Sequence, residues 1–191
     1  MSRNKRMGSQ DSPTSQAILD AVEKILRDEG YAAATTRRIA QEAGVTQQLV
    51  YYYFRTIDEL LLAAWKRRTA RGLDRLYADL SSDKPIKAMW ADYANAHDAR
   101  LTFEYMALAN RLNGIKEETT RFLNKARRLQ AEAIEKAYEV KGIAREPVSP
   151  AAAAFLMQAA SLMLCRESDS GVTFGHDDVR ALVDWALSRF D

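Results

Sequence analysis

Residues 35–54, TTRRIAQEAGVTQQLVYYYF, restrict what this chain can fold into more than any other stretch. Thr35 or Thr36 can cap a first short helix whose small apolar face is Ile39, Ala40 and Ala43. Gly44 stops that helix, because glycine enters left-handed backbone geometry without a side-chain clash. Val45 fills the corner, Thr46 caps a second helix, and Leu49, Val50 and Phe54 turn inward. The other side of the second helix carries Gln47, Gln48 and Tyr52. The pattern predicts a helix-turn-helix whose second helix is placed to enter a DNA major groove.

The rest of the chain also reads as helix. Ser12-Pro13 opens a first helix, and Ala17, Ile18, Ala21, Val22, Ile25 and Leu26 repeat at helical spacing until Gly30. Thr56-x-x-Glu59 is a capping box, and Leu62, Trp65, Thr69, Leu73, Leu76 and Leu80 extend the fourth helix to about residue 80. Helices are predicted at 86–95 and 99–112, the latter ended by Asn113-Gly114, then at 115–140, 151–167 and 177–190. Asp177 and Asp178 are expected to cap the last of these. No strand-period alternation persists and no internal repeat is present. The prediction is an all-α chain of nine or ten helices. A DNA-binding head spans 12–57, and a helical regulatory and dimerisation domain spans 58–191. The fourth helix is long enough to belong to both.

Composition agrees with a folded soluble protein: 191 residues, 47% hydrophobic, with four prolines and eight glycines. The net charge of +2 says little about partners, but its distribution says more. Arg3, Lys5 and Arg6 form a basic tail, and Arg37 and Arg38 stand in the first turn of the helix before the recognition helix. Cations there oppose the helix dipole unless a phosphate lies nearby. No apolar run is long enough to span a membrane, no export signal follows the basic tail, and the single Cys165 excludes an intrachain disulfide. These features point to a cytoplasmic protein with no membrane partner. His97, His176 and Cys165 supply no chelating spacing, and no phosphate loop or nucleophile elbow is present. No metal, cofactor or enzymatic activity is expected.

From Ala17 to Trp65 the chain resembles the TetR family of bacterial helix-turn-helix repressors. The resemblance is carried by AILDAVEKIL, Gly30-Tyr31, Thr36, Ile39-Ala40, Ala43-Gly44-Val45-Thr46, Val50-Tyr51-Tyr52-Tyr53-Phe54 and Leu60-Leu61. Two positions depart from the pattern: Tyr53 stands where a histidine is common, and Ile57 where a lysine opens the fourth helix. Major-groove geometry and the resemblance together assign base contacts to Thr46, Gln47, Gln48 and Tyr51, and phosphate contacts to Thr36, Arg37, Arg38, Tyr52 and Tyr53.

The resemblance implies a homodimer on a two-fold symmetric duplex operator, regulated by a small molecule held in the second domain. The last two helices are apolar on more than one side, as a dimer through a four-helix bundle requires. Phe155, Ala159, Leu162, Val179, Leu182 and Ala186 are the expected seam. Trp90, Tyr93, Phe103, Met106, Asn110, Tyr138 and Phe155 are the expected lining of a site for an apolar or aromatic effector. His97, Glu104 and Arg111 are candidates to orient a polar group there. The competing reading is a helical scaffold or protein-binding adaptor whose head no longer binds DNA, for which Ile57 is the supporting residue.

Overall fold

The computed structural model describes residues 12–94 and 99–190; the basic tail and His97 lie outside the described residues. Among the described residues there are nine α-helices and no strand. They are α1 (Pro13–Asp28), α2 (Thr36–Glu42), α3 (Gln47–Tyr53), α4 (Ile57–Leu80), α5 (Pro85–Ala94), α6 (Ala99–Ala109), α7 (Asn113–Lys141), α8 (Pro150–Asp169) and α9 (His176–Ser188). A 3-10 turn at Tyr31–Ala33 links α1 to α2.

The chain divides into two compact units. The first reaches from the N-terminal side to Thr69 and takes in Arg100–Thr119; the second comprises Ala70–Ala99 and the chain from Thr120 on. The first unit therefore extends beyond the 12–57 expected for the head. Its core explains why. Ile18, Val22, Ile25 and Leu26 of α1 meet Ile39 and Val50 of the helix-turn-helix, and Leu60, Leu61, Ala64 and Trp65 of α4 with Leu101, Tyr105 and Leu108 of α6 close the same cluster. The Trp65 and Tyr105 rings stack with centroids 4.3 Å apart. Arg67 joins α4 to α1 through a nearly buried ion pair with Glu23 at 2.6 Å. The second unit has its own core, including Leu76, Ile86, Met89, Ala126, Ile134, Tyr138, Ala154 and Leu187.

Two element ends differ from expectation. Asn113-Gly114 does not end α6; it opens α7. α6 stops at Ala109 because its last turn tightens, with Arg111 N–H bonded to Leu108 O at 2.9 Å. Gly114 serves packing: a Cβ there would meet Leu62 Cδ2 at 3.0 Å. Arg111 therefore lies beyond the end of α6. Asp177 and Asp178 do not cap α9 either. Gly175, at φ +81°, holds the cap position without a side-chain bond, and the two acids sit in the first turn, where they favour the helix dipole.

Candidate functional site

The recognition corner is built by two threonines and a glycine. Thr35 Oγ1 accepts the Arg38 N–H at 3.2 Å and caps α2; Thr46 Oγ1 accepts the Leu49 N–H at 3.2 Å and caps α3. Between them Gly44 adopts φ +66°, and Val45 N–H returns to Ala40 O at 2.9 Å. This is the hydrogen-bonded left-handed stop that the sequence pattern called for. The Thr56 cap of α4 also forms, since Glu59 N–H donates to Thr56 Oγ1 at 3.1 Å; the return bond to the Glu59 carboxylate comes from Arg55 N–H, one residue before the cap, at 3.0 Å.

These bonds fix the rotation of α3. Val50 and Tyr53 are buried on one side, while Thr46, Gln47 and Gln48 are exposed on the other. Tyr51 and Tyr52 are 54% and 44% exposed, and Tyr53 is only 9% exposed. Tyr53 thus departs from the surface position expected of a phosphate contact; its ring joins the core and meets that of Tyr52 in a T-shaped pair, 5.2 Å between centroids. Ile57 also packs against that core. A lysine at this position would have to leave apolar contacts to reach solvent.

The two adjacent arginines have different surroundings. Arg37 is exposed and makes no ion pair among the described residues. Arg38 is occupied: its guanidinium lies 2.6 Å from Glu29 and 2.9 Å from Glu42. Lys24 of α1 also pairs with Glu42. The bond from Lys24, then that from Arg38, holds the Glu42 carboxyl below its ordinary pKa of 4.5. This contribution to stability is complete above that pH and is lost as the pH falls through the depressed value. Arg38 therefore ties α2 to the end of α1, where the sequence expectation had it on phosphate.

Glu104, a candidate for orienting a ligand, has a different task. Its carboxylate accepts the Tyr31 N–H at 3.0 Å and lies 3.6 Å from where a Cβ would stand on Gly30. Gly30, at φ +81°, lets the acid reach the backbone at the corner between α1 and α2.

The second unit contains an open cleft of about 580 Å³. Ile134 and Tyr138 of α7, Met157 of α8, and Leu187 and Phe190 at the end of the chain form much of its wall, and Tyr138 stacks on Phe190 at 5.9 Å. Glu146 and Arg189 are its charged borders. Of the expected effector lining, Tyr138 is in this wall. Phe103, Met106 and Asn110 are not, because they belong to the first unit, where Met106 and Asn110 are exposed. Trp90 packs against the second core, Tyr93 bonds Gln130 through its hydroxyl, and Phe155 is exposed under the Arg127 guanidinium at 4.6 Å.

Three expected seam residues, Val179, Leu182 and Ala186, border the same cleft. Ala159 and Leu162 are half-buried on α8. Leu156 and Trp185, outside the expected seam set, are 57% and 60% exposed, and Leu182 is 62% exposed. His176 is buried at the start of α9, with Nε2 2.8 Å from Glu167. No helix among the described residues is long and apolar enough to cross a membrane.

Residues 18–64 match the family model of bacterial regulatory proteins, tetR family. A fatty acid metabolism regulator protein of Bacillus subtilis is 24% identical over 96 residues, which are 50% of this chain and 50% of that protein. The chain thus aligns with about half the length of that curated relative. In fold it is similar to a Rhodococcus protein described as a TetR-family transcriptional regulator, at 21% identity and a TM-score of 0.72, covering 93% of this chain and 98% of the other. It is also similar to the FadR regulator of Bacillus subtilis solved with stearoyl-CoA, at 15% identity and a TM-score of 0.63, covering 92% and 96%. Residues 18–64 thus match the tetR family model of bacterial regulatory proteins, and the chain as a whole is similar in fold to solved structures described as regulators of that kind.

Proposed function

We propose that the protein is a ligand-responsive repressor that binds a two-fold symmetric DNA operator as a homodimer. The observation that carries this reading is the two-sided α3. One side is locked into the core by Val50 and Tyr53, and the other offers Thr46, Gln47, Gln48 and Tyr51 as an exposed polar row. Such a row can meet base edges: glutamine pairs with adenine through two hydrogen bonds, and a threonine methyl touches thymine. Thr36, Arg37 and Tyr52 are the proposed phosphate contacts around it. Arg38 and Tyr53 are left out, the first held by acids and the second by the core.

Dimerisation is assigned to α8 and α9. Phe155, Leu156, Met163, Leu182 and Trp185 are all large, apolar and exposed there, an arrangement that favours a partner surface. A second copy would also supply the second recognition helix that a two-fold operator needs, about 34 Å away. The effector is assigned to the second unit, whose cleft suits an apolar or aromatic body. The Bacillus subtilis structure with stearoyl-CoA supports this class, an apolar chain on a polar head. Coupling to DNA would run through α4 and α7, the two long helices with several residues in each unit. An effector regulates only if it prefers one state of the pair.

Selection of duplexes from a random pool, followed by titration of the winner against random DNA, tests the reading. A palindromic winner bound by two chains is expected. Binding with no preference over random DNA rejects it.

A further inference from the structure

Midway along α7, two neighbouring side chains, Arg127 and Gln130, each keep a buried polar atom without a hydrogen bond. Gln130 is 1% exposed. Its amide nitrogen bonds the Tyr93 hydroxyl of α5, while its Oε1 is buried without a partner. Arg127, one turn earlier, sends one guanidinium nitrogen to Gln158 Oε1 of α8 at 2.5 Å and lays its plane over Phe155 at 4.6 Å. Its Nε is buried and donates to nothing, and among the described residues no carboxylate pairs with it. Ser161 of α8 closes the group by donating to Tyr93 O at 2.9 Å.

Each orphan atom is costly where it stands. A buried polar atom without a hydrogen bond costs roughly 1–3 kcal/mol, and a partly buried cation without a counter-ion costs more. A guanidinium that serves only as a strut between helices would normally be paired with an acid, as Arg67 is in the first unit. The charge of Arg127 is also felt locally. Burial pushes the Tyr93 phenol up to about 12, and Arg127 works against that rise. Rotating the Gln130 amide by half a turn leaves Tyr93 satisfied, because a phenol can donate as well as accept. The orphan atom is then an N–H, and it joins the Arg127 Nε–H as a second donor.

We infer that Arg127 and Gln130 form the anchor for the anionic head, a carboxylate, of the effector held by the second unit. The inference rests on the reading of that unit as effector-binding, and it deepens that reading. The anchor has an apolar continuation. Ile134, one turn beyond Gln130, and Tyr138, one turn further, both line the cleft, so one stripe of α7 changes from polar to apolar along its length. The complementary molecule is an amphipathic carboxylate.

The test uses matched pairs on the full-length protein: decanoate with decanol, and 4-phenylbutyrate with 4-phenylbutanol. Binding is read by calorimetry and thermal shift for the parent, R127K and R127Q, with helicity checked by circular dichroism. The parent should favour the acid of at least one pair. R127Q should lose about 10- to 150-fold in affinity for that acid, the worth of a charge-assisted hydrogen bond, while its affinity for the alcohol is unchanged. R127K should fall between, since it keeps the charge and loses the fork. A parent with no preference for either acid, including one that binds neither member, overturns the inference, as does an R127Q that keeps the preference. If R127Q fails to fold, R127K and Q130A carry the same comparison. Operator affinity is measured separately. Acids that bind through Arg127 yet leave operator affinity unchanged retire the regulatory reading and leave the anchor standing. Alcohols that release the operator as well as the acids do retire the anchor and leave regulation standing.

Discussion

Arg37 and Arg38 are neighbours in the chain, yet their alanine variants should behave differently. Among the described residues no acid holds Arg37, so Arg37→Ala should weaken specific and random DNA alike and flatten the log–log salt dependence by roughly one unit. Arg38→Ala should leave that slope unchanged and instead lower stability measurably, because Glu29 and Glu42 lose their shared partner. Salt titrations and urea unfolding on the same two proteins separate the outcomes. Gln47→Ala belongs to a third kind. It should cost roughly 1–3 kcal/mol on the selected operator and much less on random DNA, which competition assays read directly. The sequence made Gln47 legible because the turn around Gly44 fixes which residues begin α3. It did not separate the two arginines. Glu42 stands four residues from Arg38, in helical register, but Glu29 arrives from the end of another helix, and only the fold brings it there.

At the scale of elements, the caps of α1 to α4 were readable, while the cap of α9 and the long-range clasps were not. Thr35, Thr46, Thr56 and Ser12 each accept a backbone N–H three residues on, a local relation that a short pattern records. Glu104 holds an N–H 73 residues away, at Tyr31, and no local pattern contains that. Glu104→Ala should leave this N–H without its carboxylate and lower the unfolding free energy by roughly 1–2 kcal/mol, while Glu104→Gln, which keeps an acceptor, should lose less. Denaturant melts followed by the near-ultraviolet signal of the Trp65–Tyr105 stack would report it. The boundary between α6 and α7 was misplaced for a related reason. An Asn-Gly pair usually marks a stop, but Gly114 is small in order to admit Leu62, a demand made by packing.

For the whole molecule, Leu182 gives the cleanest check of the two-headed mechanism. It is 62% exposed, so Leu182→Arg need not bury a charge within one chain. The variant should keep its helicity and melting temperature as a single chain, sediment as a monomer, and lose most of its affinity for the full operator. A dimeric Leu182→Arg protein with parental affinity would move the seam elsewhere. The cleft was the least legible feature, because its wall is assembled from α5, α7, α8, α9 and the 143–148 loop, segments far apart in the chain. The Arg127–Gln130 pair left a fainter trace, two polar residues on the stripe that continues to Ile134 and Tyr138. One further consequence concerns how such proteins can be recombined. The compact first unit is discontinuous in the chain: it needs Arg100–Thr119 as well as everything up to Thr69. A recognition head cut after residue 57 and grafted onto another regulator would leave behind Leu60, Leu61, Trp65, Leu101 and Tyr105, the inner wall against which α1 folds. A transplant that keeps its shape has to carry α6 with it, or find in its new host a helix that offers the same wall.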